Sequence, residues 1–466
     1  MSRKLAFLVS LCLFALAAFA QSKPAEKPAA KTGAAERAPE KPAPGLVLVK
    51  AARLLDVAAG QYRSGQAVLI EGDRIKAVGP AAELAGQARN AEVIDLGNAT
   101  LLPGLIDCHT HLSGRADRYD ELYDFKDTPF NSAFAAVVHA KKTLEAGFTT
   151  VRDVGSAPFL AVDLRNSINE GFIPGPRVIA SGPMISITGG HGDLNNYSPQ
   201  TRVMMFPEER DYSLADGVDQ VIHTVRAQEK FGVDVIKIGA SGGVLSRGDQ
   251  PGAPQYSVAE LKAAADTAHV GGRKIAAHAH GAQSIKDAIT AGIDSIEHAS
   301  LVDDEGIRMA REHGTYFVMD IYNDDYLLNE APKHGLTQEK VEKERALGQL
   351  QRDNFKKAWQ AGVKMAFGTD SGVYPHGDNA KQFHYMVLYG MTPAEAIRAA
   401  TLSAADLITN VKKTPEVGSI EAGKYADMIA VTGDPLAKVE TLEHVQWVMK
   451  GGKVYKNELT GAAASR

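Results

Sequence analysis

The chain has 466 residues, 44% of them hydrophobic, and a formal charge of −5. That length can bury a large core, and the acidic balance gives no basic footprint for nucleic acid. With two cysteines, Cys12 and Cys108, the chain has no disulfide framework to rely on, and its stability must come from packing.

Residues 1–20 read as a secretory signal: Arg3 and Lys4 precede an apolar stretch from Leu5 to Ala17, and Ala18, Phe19 and Ala20 form an A-x-A-like cleavage site. The run is too short for a membrane anchor. Its removal takes away Cys12, Arg3 and Lys4, so the charge goes from −5 to −7. Residues 21–44, almost entirely Ala, Pro, Lys, Glu and Gly, bury too little apolar surface to order themselves and read as a linker. An exported, periplasmic or secreted protein is expected, with no membrane span after the signal.

From residue 45 to 103, short alternating segments such as Ala67 to Glu71 and Arg74 to Val78 are separated by Gly-Asp and Gly-Pro turn signals. The same texture returns over 411–456, so the two ends are expected to build one small β-sandwich domain, with a flexible tail over 457–466. Between them, over 104–410, eight apolar runs alternate with helical patterns: LIDCHTHL, FTTVRDV, RVIASG, VDVIKIG, KIAAHAH, IDSIEHA, TYFVMDI and VKMAFGTD. That alternation predicts an α/β chain whose centre is a (β/α)8 TIM-like barrel. Gly147, Gly292 and Gly362 each end a helical pattern, and Ser257 with Glu260 and Thr392 with Glu395 have capping-box spacing. An open doubly wound sheet is the competing architecture, but no Gly-rich phosphate loop follows an early strand.

A parallel barrel brings its strand ends to one rim, so residues distant in sequence converge there. His109 and His111 are two apart on a strand and point the same way, as do His278 and His280. Neutral imidazole is a good ligand for zinc and related ions. Lys237, inside VDVIKIG, is costly to bury as an ammonium. As a neutral amine it can add CO₂ to give a carbamate whose oxygens bridge two metals; the competing role is a salt bridge to Asp234. His298 ends the next run, and Asp370 closes the eighth, where a carboxylate can touch a metal and move the proton of the attacking water. His278 is assigned to the metal, and His280 to substrate or to a supporting contact. His191, in ITGGHGD, is a substrate-binding candidate. His139, His223, His269 and His384 lie in helical patterns and read as surface or packing residues.

The motifs PGLIDCHTHL, VIKIGASGG, AAHAHG, SIEHAS and FGTDSG stand in this order, and over roughly residues 45–456 the chain resembles the amidohydrolase superfamily, in its imidazolonepropionase-like or prolidase-like branch. The resemblance implies two divalent ions, zinc in the family: His109 and His111 on one, His278 and His298 on the other, carbamylated Lys237 between them and Asp370 as the base. It also implies a small amide or dipeptide substrate, and a homo-oligomer, octamers occurring in this branch. Superfamily deaminases carry a glutamate three residues after the fifth-strand histidine; here that position is Gly281.

The reaction expected is hydrolysis of dipeptides or N-acyl amino acids with a free carboxylate, dipeptidase- or carboxypeptidase-like, ochratoxin-type phenylalanine amides included. Hydrolysis of a cyclic amide, of imidazolone or hydantoin type, is the alternative within enzymes. A periplasmic metal-binding protein without catalysis is the alternative of another class, disfavoured because a closed storage site needs no base such as Asp370.

Overall fold

The structure, a computed structural model, describes residues 45–459 except 194, 196 and 206–211. The expected signal, the linker to residue 44 and the tail from residue 460 lie outside the described residues.

The chain opens with β1 (Leu46–Asp56), β2 (Gln61–Glu71), β3 (Arg74–Pro80), β4 (Glu92–Asp95) and β5 (Thr100–Pro103). The two-residue Gly72-Asp73 connection that joins β2 to β3 starts at φ +64°, a conformation glycine adopts without steric cost. The central strands are β6 (Leu105–Thr110), β7 (Phe148–Asp153), β8 (Arg177–Ala180), β9 (Val235–Gly239), β10 (Lys274–Ala279), β11 (Ser295–His298) and β12 (Tyr316–Val318). Near the carboxyl end come β13 (Met428–Val431), β14 (Trp447–Lys450) and β15 (Lys453–Asn457).

Both ends of the chain build one eight-stranded sheet, in which β13 from the carboxyl end pairs antiparallel with β5. Alternation along β1 and β2 buries both faces: Val49, Val68 and Ile70 join a cluster with Trp447 and Met428, while Leu48 and Leu69 pack on Leu84 of a short helical turn.

The middle of the chain is α/β, with helices between parallel strands. β6, β7 and β8 form one parallel sheet, and β9 to β12 another. Backbone hydrogen bonds between Ile185 and both Lys237 and Gly239, with Asp234 N to Ala180 O, carry the bonding from β8 to β9. On the other side, Phe317 bonds to Lys364 and Ala366, and the amides of Cys108, His111 and Asp370 connect β6 to residues 367–371. The eighth run, expected as a strand, shows isolated bridges at Met365 and Ser371 instead of a continuous ladder. Two local features account for this: a Cβ on Gly368 would meet Val318 at 2.2 Å, and Asp370 sits at φ +58°.

The helix boundaries follow from local chemistry. Ser257 with Glu260 and Thr392 with Glu395 both form the reciprocal capping box, satisfying amides that the first helical turn leaves free. Gly147, Gly292 and Gly362 follow their helices at φ +98°, +88° and +81°. Among the described residues no helix is long and apolar enough to cross a membrane.

Candidate active site

The strand ends deliver their polar side chains to one cavity of about 670 Å³. His109, His111, Lys237, His278, His280, His298, Asp370 and His191 all line it, so the eight residues singled out in sequence meet in space. All but His111 and His191 are nine-tenths buried or more. Two groups of ligand atoms converge to within 4.8 Å: His278, His280 and His298, and His109, His298 and Asp370. His280 therefore stands beside His278 in one candidate ligand group.

Asp370 Oδ1 lies 3.0 Å from His111 Nε2 and 3.4 Å from His109 Nε2. Burial works to raise the Asp370 pKa, but His109 and His111 outweigh it and hold the carboxyl below its usual range. His278 and His280 are driven well below the ordinary histidine value, chiefly by burial, so each offers a neutral nitrogen lone pair.

Lys237 is 2% exposed, and its Nζ has no hydrogen-bond partner. The salt bridge to Asp234 that competed for it is not made: Asp234 pairs with Arg165 at 2.5 Å. Burial lowers the Lys237 pKa to about 8, against the pull of Glu297. A buried amine whose charge is weakened and which has no partner, lining the same cavity as the histidines, is available for a role in a metal site.

Supporting contacts aim the ligands. His298 Nδ1 meets Asp320 Oδ1 at 2.9 Å, and His111 Nδ1 meets Gly155 O at 2.8 Å. Each contact fixes the ring through Nδ1 and turns Nε2 into the cavity, where that of His111 meets Asp370; a carboxylate or carbonyl commonly fixes a metal-binding histidine in this way. His280 Nδ1 is held by Ser300 Oγ at 2.8 Å. His298 and Asp370 both have positive φ, at 69° and 58°, a strain that non-glycine residues tolerate where the surroundings impose it.

Several contributors were not read from sequence. Glu297 places Oε2 2.9 Å from His109 Nδ1, at an angle outside normal hydrogen-bond geometry. Its Oε1 pairs with buried Arg152 at 2.8 Å. His376 reaches His111 O at 3.1 Å and stacks on His139, which meets Leu112 O at 2.8 Å. Asp320, Asn323, Glu344 and Gln351 also line the cavity. The readable signal was on the helix Gln338–Gln360, where Glu344, Gln351 and Asn354 interrupt the buried stripe of Val341, Leu347, Phe355 and Ala358.

Residues 100–455 match the amidohydrolase family. The chain belongs to the amidohydrolase family. It is a hydrolase acting on amide bonds. Residues 67–91 also match the imidazolonepropionase-like composite domain of bacteria. The ochratoxinase of Aspergillus niger is 35% identical to this amidohydrolase over 370 residues, which cover 76% of the chain and 75% of the relative. A solved Xaa-Pro dipeptidase with methionine bound in its active site is 36% identical, with a TM-score of 0.80 over 89% of this chain and all of that one. A prolidase structure complexed with N-methylphosphonate-L-proline is 30% identical, with a TM-score of 0.79 and the same coverage.

Proposed function

We propose that this amidohydrolase is a binuclear metal-dependent enzyme that hydrolyses dipeptides or N-acyl amino acids. The carrying observation is Lys237: a buried amine with no partner, lining the same cavity as six histidines and Asp370. Addition of CO₂ to the neutral amine, with loss of a proton, would turn it into a carbamate, an anionic group suited to holding divalent cations. In this reading His109 and His111 hold one ion, His278 and His298 the other, and Asp370 contacts the first. When bound, two divalent ions supply Lewis-acid polarisation of the scissile carbonyl and lower the pKa of the attacking water from about 15.7 towards neutrality.

The chain's own groups do the rest. Asp370, held ionised by His109 and His111, takes the proton of the attacking water and returns it to the leaving nitrogen. His280, fixed by Ser300, and His191, fixed by Ser246 at 2.7 Å, hold the substrate's oxygens. Within the same proposal, the ring of parallel pairings over 104–410 closes as an eight-stranded barrel, flanked by a β-sandwich from 45–103 and 411–456. The amino-terminal signal exports the protein, and it assembles as a homo-oligomer.

The relatives support the reaction class, since an Xaa-Pro dipeptidase and an ochratoxinase both share the fold over most of the chain. The match of residues 67–91 to the imidazolonepropionase-like domain favours a cyclic amide as the second reading. The experiment is metal analysis coupled to a panel of Xaa-amino acid dipeptides, N-acyl amino acids and cyclic amides. Two equivalents of metal and turnover of linear amides that a chelator abolishes are expected. Turnover unaffected by chelation, or confined to cyclic amides, would overturn the proposal.

A further inference from the structure

We propose that Glu344 and Asn323 form an acceptor subsite in the cavity for the cationic head of a long basic side chain. The enzyme would then favour amide substrates that carry a lysine- or arginine-like group. The inference rests on the amide-hydrolase reading and deepens it by naming the substrate class.

Glu344 is 5% exposed and lines the cavity that also holds Asp370. It projects from the helix Gln338–Gln360, one turn before Gly348. A Cβ on Gly348 would meet Asp324 Oδ2 at 2.2 Å, so this glycine lets the helix press against Asp324 and bring the two carboxyls into contact. Asp324 already has a cation, Arg352 Nε at 3.3 Å. Glu344 does not. Of the basic residues on its own helix, Lys340 turns to Glu121 at 3.4 Å, Lys343 to Asp249 at 3.3 Å, and Arg352 is taken by Asp324 and Asp325. Among the described lining residues the one lysine or arginine is Lys237, which the metal site uses.

Asn323 is a second, independent sign. It is 6% exposed and lines the same cavity, yet its Oδ1 has no hydrogen-bond partner. The amide orientation is fixed because Nδ2 donates to Asp320 Oδ2. A buried acid and an orphan acceptor oxygen in one wall call for a ligand that brings N–H donors.

The neighbouring wall indicates what the donor is attached to. Leu347 is one turn along from Glu344, Leu327 one turn along from Asn323, and both line the cavity. An aliphatic stem ending in a charged head matches that order of surfaces. Without a ligand, burial and the adjoining Asp324 carboxyl push the Glu344 acid well up, so that it keeps its proton. On binding, the cation takes the place of that proton, which leaves to water, and the charge in the wall is balanced.

The test uses the zinc-loaded full chain with paired dipeptides in which lysine is exchanged for norleucine, at either position, and compares wild type with Glu344→Gln. A lysyl-to-norleucyl ratio of kcat/KM of about ten or more, equivalent to 1.4 kcal/mol, is expected for wild type. In Glu344→Gln the ratio should fall towards one. In parallel, titration calorimetry compares free L-lysine with L-norleucine on both proteins, and tighter binding of lysine to wild type alone is expected. Equal turnover and equal affinity for the two would overturn the subsite while leaving the amide reading intact. Retention of the lysine preference by the glutamine variant would also overturn it. Failure to cleave any dipeptide counts against the amide reading, and calorimetry then decides the subsite without turnover. Should Glu344→Gln fail to fold, the wild-type titrations decide alone, equal affinity again overturning the subsite.

Discussion

His191 lies flat against His278, with ring centroids 4.0 Å apart and planes 21° from parallel. The contact is clamped from behind. His191 Nδ1 is held by Ser246 Oγ, and a Cβ on Gly243 would meet the His191 ring at 2.2 Å. The loop after β8 is thereby locked onto a proposed metal ligand from β10.

Gly243→Ala should push the His191 ring off His278. A fall in kcat/KM of about tenfold, or 1.4 kcal/mol of transition-state stabilisation, is expected with the fold retained. Steady-state kinetics beside circular dichroism check this; unchanged kcat/KM would show that the stacked arrangement has no part in turnover.

Lys237→Ala should bind fewer metal equivalents per chain than wild type and lose turnover on linear amides. Elemental analysis after dialysis reads the first effect directly. A variant with full metal content and full activity would remove Lys237 from the bridge.

Asp320 fixes His298 through Nδ1. Asp320→Asn is expected to lower metal affinity or activity about 10–100-fold, the usual effect of losing a group that orients a metal-binding histidine. Competition with a chelator of known affinity measures it, and an unchanged affinity would refute the orienting role.

The Arg152–Glu297 pair is almost fully buried, at 1% and 0% side-chain exposure. Glu297→Gln keeps the shape and leaves the guanidinium without its charge partner, which should cost about 3–5 kcal/mol. A clear loss of thermal and denaturant midpoint is expected, partly recovered when Arg152→Met is added; a variant as stable as wild type would count against the pair's importance.

Lys450 is 9% exposed and donates to Gly175 O at 2.6 Å. Burial, and then the charge of Arg177, lowers its pKa from 10.5 to about 8. The unfolded chain therefore binds more protons at this site between pH 8 and 10.5, so this group's penalty is complete below pH 8 and is relieved as pH rises. Relative to Lys450→Met, wild type should gain in denaturant midpoint between pH 7.5 and 10. A difference that is flat across that range would refute the assignment.

Features with a local cause were legible in the sequence. The capping boxes at Ser257 and Thr392, the glycines after helices and the two-residue turn at Gly72 each depend on a few adjacent residues. The H-x-H pair, Lys237 and His298 could be placed because strand parity and strand ends are themselves sequence features. Glu297, Arg152 and His376 were hidden for the opposite reason: their partners lie on other strands and loops, and no spacing marks the contact. The eighth run looked like its neighbours in composition, but Gly368 and the left-handed Asp370 interrupt its ladder. Glu344 was hidden in a helix rich in charged residues, where nothing in the spacing separates it from Glu339 and Glu342, which face solvent.

The pairing of β5 with β13 also sets an order of events for the growing chain. Residues 104–427 lie between these partners, so when the first five strands leave the ribosome the outer edge of β5 has nothing to bond to. At ordinary rates of synthesis that edge waits on the order of tens of seconds. An unpaired strand edge is a template for wrong partners, so this protein is most exposed to misassembly during its own manufacture, before β13 arrives to cover the seam.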